Sequence, residues 1–128
     1  GRLPQRFFEA VRATLDSATT QERFIAEPLA AALAALGEAT AQVQAAGPEA
    51  SEAAFGCDEL LRAWTLTLLG WNWLRMHRAA QRRGDGFAQA KRVTAEYYAT
   101  RMLNQVPLLC RSAVQNAGPM LELEAELF

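Results

Sequence analysis

The chain has little of what catalysis in a helical protein draws on. Its 128 residues hold one histidine, His77, and two cysteines, Cys57 and Cys110, far apart in sequence. A di-iron bundle takes two Glu-x-x-His pairs, and here Leu74 stands three residues before the lone histidine. No Cys-x-x-Cys, Gly-x-Ser-x-Gly or Walker sequence occurs, which leaves no recognisable metal, acyl-transfer or nucleotide motif. Gly84 and Gly86 lack the third glycine and the preceding strand of a dinucleotide fingerprint, so they read as a turn. His77 has no orienting partner in the sequence and lies among arginines, where a helix-terminal role is the expectation. No catalytic, cofactor-binding or metal residue is expected in this chain.

Other absences narrow the setting. The formal net charge is −1, which gives no reason to expect nucleic acid or a membrane surface. The apolar run between Arg62 and Arg75 falls short of the ~20 residues that cross a bilayer, and the opening residues do not read as a basic-then-apolar leader with a cleavage site. Two distant cysteines make no disulfide framework, so buried reduced thiols and a cytoplasmic location are expected. The chain begins without methionine and ends on the acidic Glu122–Phe128 tail, as an excised piece of a longer protein or a trimmed complete one would. A chain of this length makes one domain, residues 1–128.

What is present is helix. Alanine, the residue of lowest helix cost, is the commonest, and the five prolines and eight glycines sit in a few separated places. A first helix is expected from Pro4 to Ser17, followed by a capping box with Thr19 as cap and Glu22 reaching back. A second carries Ile25, Leu29, Ala32, Leu36, Ala39 and Val43 at alternating spacings of four and three; Pro28 either kinks it or opens it. Gly47-Pro48 separates it from a third helix running to Arg83. The turn Gly84-Asp85-Gly86, with Asp85 as cap, leads into a fourth helix reaching Asn116. Its seam is Ala95, Tyr98, Met102, Val106, Leu109 and Ala113, and Pro107 should bend it. With no alternating strand runs, the fold expected is all-α: an up-and-down antiparallel four-helix bundle, with room for a short extra N-terminal helix.

The third helix organises the rest. It carries one apolar stripe through Leu60, Trp64, Leu68 and Trp71 and another through Leu66, Leu69, Trp73 and Met76, so it should be covered on several sides. The tryptophans are read as core ties to neighbouring helices, and Gly70 among them as the site of a close contact with a bulky side chain. Acidic residues at its start and basic ones at its end complement the helix dipole. Residues 61–115 carry nine basic and two acidic side chains. Arg75, Arg78, Arg82, Arg83, Lys91 and Arg92 form a basic hairpin that could meet phosphates or an acidic protein surface.

Leu69-Gly70-Trp71-Asn72-Trp73-Leu74-Arg75-Met76, the glycine turn, and then Ala90-Lys91, Tyr97-Tyr98 and Arg101-Met102-Leu103 resemble one known module. It is the extra C-terminal helical domain of large acyl-CoA dehydrogenases similar to methylthiopropionyl-CoA dehydrogenase. The resemblance spans about residues 20–116, with one departure: Asn104 stands where that module often has proline, which is delayed here to Pro107. The resemblance implies a non-catalytic accessory domain of an FAD enzyme that introduces an α,β double bond into an acyl-CoA thioester. It implies that the domain packs on the catalytic domains of its own polypeptide in a homo-oligomer, with FAD held elsewhere in the parent. Acyl-CoA is a candidate ligand, with the basic hairpin as the candidate interface or CoA-phosphate contact. From a different class, a dimerisation or ligand-binding bundle, such as the C-terminal domain of a transcription regulator, has the same length and helix content.

Overall fold

The computed structural model describes residues 2–47, 56–115, 117–123 and 125–127, and these are helical, with no strand among them. Helix α1 is Arg2–Asp16, α2 Arg23–Ala46, α3 Cys57–Gln81, α4 Gly86–Arg101, α5 Val106–Ala113 and α6 Gly118–Leu121. Short 3₁₀ turns cover Thr20–Glu22, Leu103–Gln105 and Ala125–Leu127. The expected start of the third helix at Pro48 lies outside the described residues; Gly56 stands at its N-cap rather than inside it.

Three rods make the core. α2, α3 and the α4–α5 pair each pack against the other two. α1 lies along α2 and reaches α3 through long side chains: Phe7 meets Trp64 and Trp71, and the Trp71 indole N–H donates to Thr14 Oγ1 at 2.8 Å. The pairings Phe7 with Trp64 and Thr14 with Trp71 make α1 parallel to α3, while Phe24 against His77 sets α2 antiparallel to it. The directions alternate as expected of an up-and-down bundle.

The seam of α2 follows its spacing: Ile25, Leu29, Ala32, Leu36 and Ala39 are buried. The helix begins at Arg23 and runs through Pro28. α2 with its preceding turn is long and apolar enough to cross a membrane by composition alone, yet its large aliphatic residues form the centre of this core.

The seam of α3 differs from the two stripes. Its buried line is Ala63, Leu66, Thr67, Gly70, Leu74, His77 and Ala80, whereas Leu68, Leu69 and Met76 are exposed. Small residues face inward because the neighbouring rods come close. A Cβ on Gly70 would lie 2.6 Å from Leu103 Cδ2, so the glycine is the space into which fully buried Leu103 fits. The tryptophans flank this line and tie outward: Trp64 to Phe7 and Phe8, and Trp73 to Tyr98. Tyr98 also donates its hydroxyl to Leu66 O at 2.7 Å, and burial pushes its pKa up to about 12.

The single fourth helix is broken in two. Pro107 offers no N–H to the carbonyl of Leu103, and the chain leaves α-helical geometry in the turn before it. Asn104 Nδ2 donates to Thr100 O at 2.6 Å and Gln105 Nε2 to Arg101 O at 2.8 Å, so side chains serve the carbonyls at the end of α4. Pro107 sits in the first turn of α5. Of the cysteines, Cys110 is buried, and burial raises its thiol pKa, but Cys57 is exposed at the start of α3. The burial expected of both therefore holds for Cys110 only.

Candidate functional site

The basic hairpin does not gather its cations in one place; all but Arg82 are held by what their own helix positions face. Arg78, on the α1 side of α3, is used inside the fold. It donates to Glu22 Oε2 at 2.5 Å, to Ser17 Oγ at 3.1 Å and to Thr14 O at 2.9 Å. Those three bonds lock the end of α3 to the end of α1 and to the turn opening α2. Glu22, 5% exposed, accepts the Thr19 N–H on its other oxygen at 2.9 Å, the capping contact read from Thr19-x-x-Glu22. Burial pushes the Glu22 carboxyl up, but the bonds from Arg78 and Thr19 outweigh it and hold it below its ordinary value.

Beside this clamp lies His77. It is not a helix-end residue in contact with solvent but a core one, 2% exposed, with its ring edge-on to Phe24 at 5.2 Å. Arg92 covers the same phenyl ring at 4.8 Å. Burial and then the Arg92 charge lower the His77 pKa, against a weaker opposing pull from Glu22, so the imidazole is favoured in its neutral form. The four histidine-side groups, Glu22, Arg78, Phe24 and Arg92, therefore make a satisfied structural cluster.

The turn itself presents the remaining cations. Gly84 takes φ +65°, and Asp85 Oδ1 accepts the Phe87 N–H at 3.1 Å, which starts α4 as its sequence requires. Arg83 lies 4.6 Å over Phe87 and 3.6 Å from the Asp85 carboxylate. Lys91 Nζ lies 5.2 Å over Phe87 and 5.7 Å over Trp73, which makes Phe87 a ring between two cations. Arg75 stacks 5.0 Å over Trp71, toward α1. Arg82, at the C-cap of α3, is exposed, and its side chain has no ion pair, hydrogen bond or ring contact among the described residues. Arg82, Arg83 and Lys91 are thus the cations near the turn, while Arg75, Arg78 and Arg92 face α1 and α2.

A second surface was not read from the sequence. Leu3, Pro4, Phe7, Leu61, Trp64, Thr65 and Leu68 line an open apolar groove of about 450 Å³ between α1 and α3. Its signal was the surplus of leucine on α3: Leu61 and Leu68 stand one heptad apart on a face the core does not use. Nothing in this lining suits a dinucleotide such as FAD, whose pyrophosphate takes cations or clustered N–H donors. Among the described residues no group of three His, Cys, Asp or Glu could hold a metal ion.

Arg78, Glu22 and His77 are thus spent on structure, and a cationic turn and an apolar groove are left on the surface of the bundle. The family comparison gives the particular family: the model described as acetyl-CoA dehydrogenase C-terminal like matches residues 7–124, and the chain belongs to that family. No curated protein and no solved structure matches the chain.

Proposed function

We propose that the chain is the non-catalytic C-terminal accessory domain of a cytoplasmic, homo-oligomeric acyl-CoA dehydrogenase-like flavoenzyme, of the branch similar to methylthiopropionyl-CoA dehydrogenase. The observation that carries this reading is the family match across residues 7–124. The parent reaction is α,β-dehydrogenation of an acyl-CoA thioester, with FAD and the catalytic base supplied by domains that precede this one. The domain packs on those catalytic domains and presents its basic hairpin to an anionic group, the CoA phosphates or an acidic surface. Arg82 supports that role, because it is exposed and unengaged among the described residues, and Arg83 is beside it. Arg78 is excluded from it, because Glu22, Ser17 and Thr14 already take its donors.

The test is Arg82→Glu/Arg83→Glu in the full-length enzyme. Each reversal at an exposed site is worth up to ~1 kcal/mol, so the Michaelis constant for acyl-CoA should rise roughly tenfold at low salt, with kcat little changed. The difference should shrink as ionic strength rises. Unchanged kinetics together with unchanged oligomer size would sink the role of the hairpin.

A further inference from the structure

Helix α2 carries two residues that weaken it without a compensating contact, and both line one cleft. Thr40 is 8% exposed, and its Oγ1 is buried with no hydrogen-bond partner among the described residues. The other threonines within α1 to α4, which are Thr14, Thr65, Thr67, Thr94 and Thr100, all donate to the carbonyl four residues back. A buried hydroxyl left unpaired costs stability and calls for an explanation. Gly37 is the second. A Cβ there would stand 3.8 Å from the Phe8 ring, an ordinary contact, so alanine would fit and would favour the helix more. Arg2, Gln5 and Phe8 of α1 and Gly37, Thr40 and Gln44 of α2 line a cleft of about 360 Å³. The side chains of Arg2, Gln5 and Gln44 also have no hydrogen bond or ion pair among the described residues. Because α1 and α2 are antiparallel, Phe8 opposes Gly37 at one end of the cleft and Arg2 comes toward Gln44 at the other.

We infer that this cleft binds a small monocarboxylate with an apolar body. The planar guanidinium of Arg2 suits a carboxylate, and the Thr40 hydroxyl and the Gln5 and Gln44 amides supply further donors. The Phe8 ring and Gly37 make the apolar end, where the body of the ligand lies. The volume is in the range of small-molecule sites and far above what one water needs. The lining charge has one sign, since no acidic side chain among the described residues lines the cleft. Glu38, beside Gly37, lines a different cleft with Arg111, and Glu9, beside Phe8, is outside the lining. Arg12 lies 5.9 Å over the Phe8 ring and adds to the positive field at that end. One lining cation with an apolar neighbour suits a monoanion better than a phosphate dianion. The cleft is separate from the basic hairpin. Phe24, near the start of α2, meets His77, and Thr40 stands about 24 Å further along that helix.

Ligand-observed NMR titration of the full-length protein with benzoate tests this, with benzamide as the neutral isostere and inorganic phosphate as the competing anion. Benzoate should bind saturably, and Thr40→Val should weaken it about tenfold, the factor that a lost hydrogen bond to a charged group carries. Benzamide should bind at least roughly tenfold more weakly than benzoate, because it cannot pair with Arg2 as an anion. In the free protein Thr40→Val should leave hydrogen exchange in α2 no faster, since the hydroxyl serves no contact of the fold. Gly37→Ala, which the Phe8 ring tolerates, should slow it. Benzoate affinity unchanged by Thr40→Val would overturn the inference, and so would equal affinity for benzamide or tighter binding of phosphate. Faster exchange of α2 in Thr40→Val would overturn it as well, because the hydroxyl would then be spent on the fold.

Discussion

Replacing Arg78 by methionine should be the most damaging single change at the polar end of the bundle. The methionine keeps most of the aliphatic stem but removes three bonds at once, to Glu22, Ser17 and Thr14. It leaves the Glu22 carboxylate, 5% exposed, with only the Thr19 N–H. Breaking one side of a buried ion pair costs ~3–5 kcal/mol. The Arg78 side chain is 29% exposed, so the lower end applies, about 3 kcal/mol. For a domain of this size that corresponds to a fall in Tm of roughly 12 °C. The sign of a second change is more telling than the size of the first. Glu22→Gln alone should destabilise, because it weakens a satisfied pair, but in the Arg78→Met background it should stabilise, because it removes a buried lone charge. The pH dependence has a sign of its own. In the parent protein Glu22 titrates below its ordinary 4.5, so its contribution is present above that value and is lost as pH falls through the lower folded one. Without Arg78, burial raises the carboxyl, and protonation relieves the variant as pH falls. The stability gap should therefore narrow toward acid. Urea titrations of the four proteins from pH 7 to pH 4 measure both effects. Additive losses for the double variant, or a gap that widens toward acid, would refute the assignment of Arg78 and Glu22 as one buried unit.

His77 and Gly70 give two further predictions. The folded pKa of His77 lies below 6.5, so its neutral form stabilises the protein fully above pH 6.5, and that contribution is lost as pH falls through the folded value. The slope in that window is at most about 1.4 kcal/mol per pH unit, and His77→Phe, which keeps a ring against Phe24, should abolish it in melting curves between pH 7 and 5. Gly70→Ala gains up to ~1 kcal/mol of helix propensity but drives a methyl into Leu103, with a net loss of about 1–2 kcal/mol by urea unfolding. Leu103→Ala should cost less in the Gly70→Ala background than alone; equal costs would mean that the two residues do not share one space.

Much of the fold was legible because α2 and α4 each have one apolar face. Ile25 to Ala39, and Ala95 with Tyr98, repeat at bundle spacing and are buried as that spacing requires. The same rule failed on α3, whose apolar residues go nearly all the way round. There bulk was a poor guide: Trp64, Leu68 and Met76 drew attention, while close packing selected Ala63, Thr67, Gly70 and His77 for the inside. Gly70 was read correctly because a glycine in a helix costs stability unless something needs its space. The break after α4 was legible only as a bend at Pro107, since it is carried upstream, where Asn104 and Gln105 take over the carbonyls. At the hairpin the sequence placed the cations near one another but could not say which had partners. Arg78 looks like its neighbours until Glu22, fifty-six residues earlier, is brought against it. The α1/α3 groove escaped notice because it exists only between two elements distant in sequence.

The central claim is that this domain serves a flavin-dependent acyl-CoA dehydrogenase without carrying its chemistry. Flavin absorbance and dye reduction with acyl-CoA, measured on the 128-residue chain and on the full-length protein, test it most directly. The account predicts a yellow, acyl-CoA-oxidising full-length enzyme and a colourless, inactive bundle. Stoichiometric FAD on the bundle alone, or a full-length protein without flavin, would contradict it.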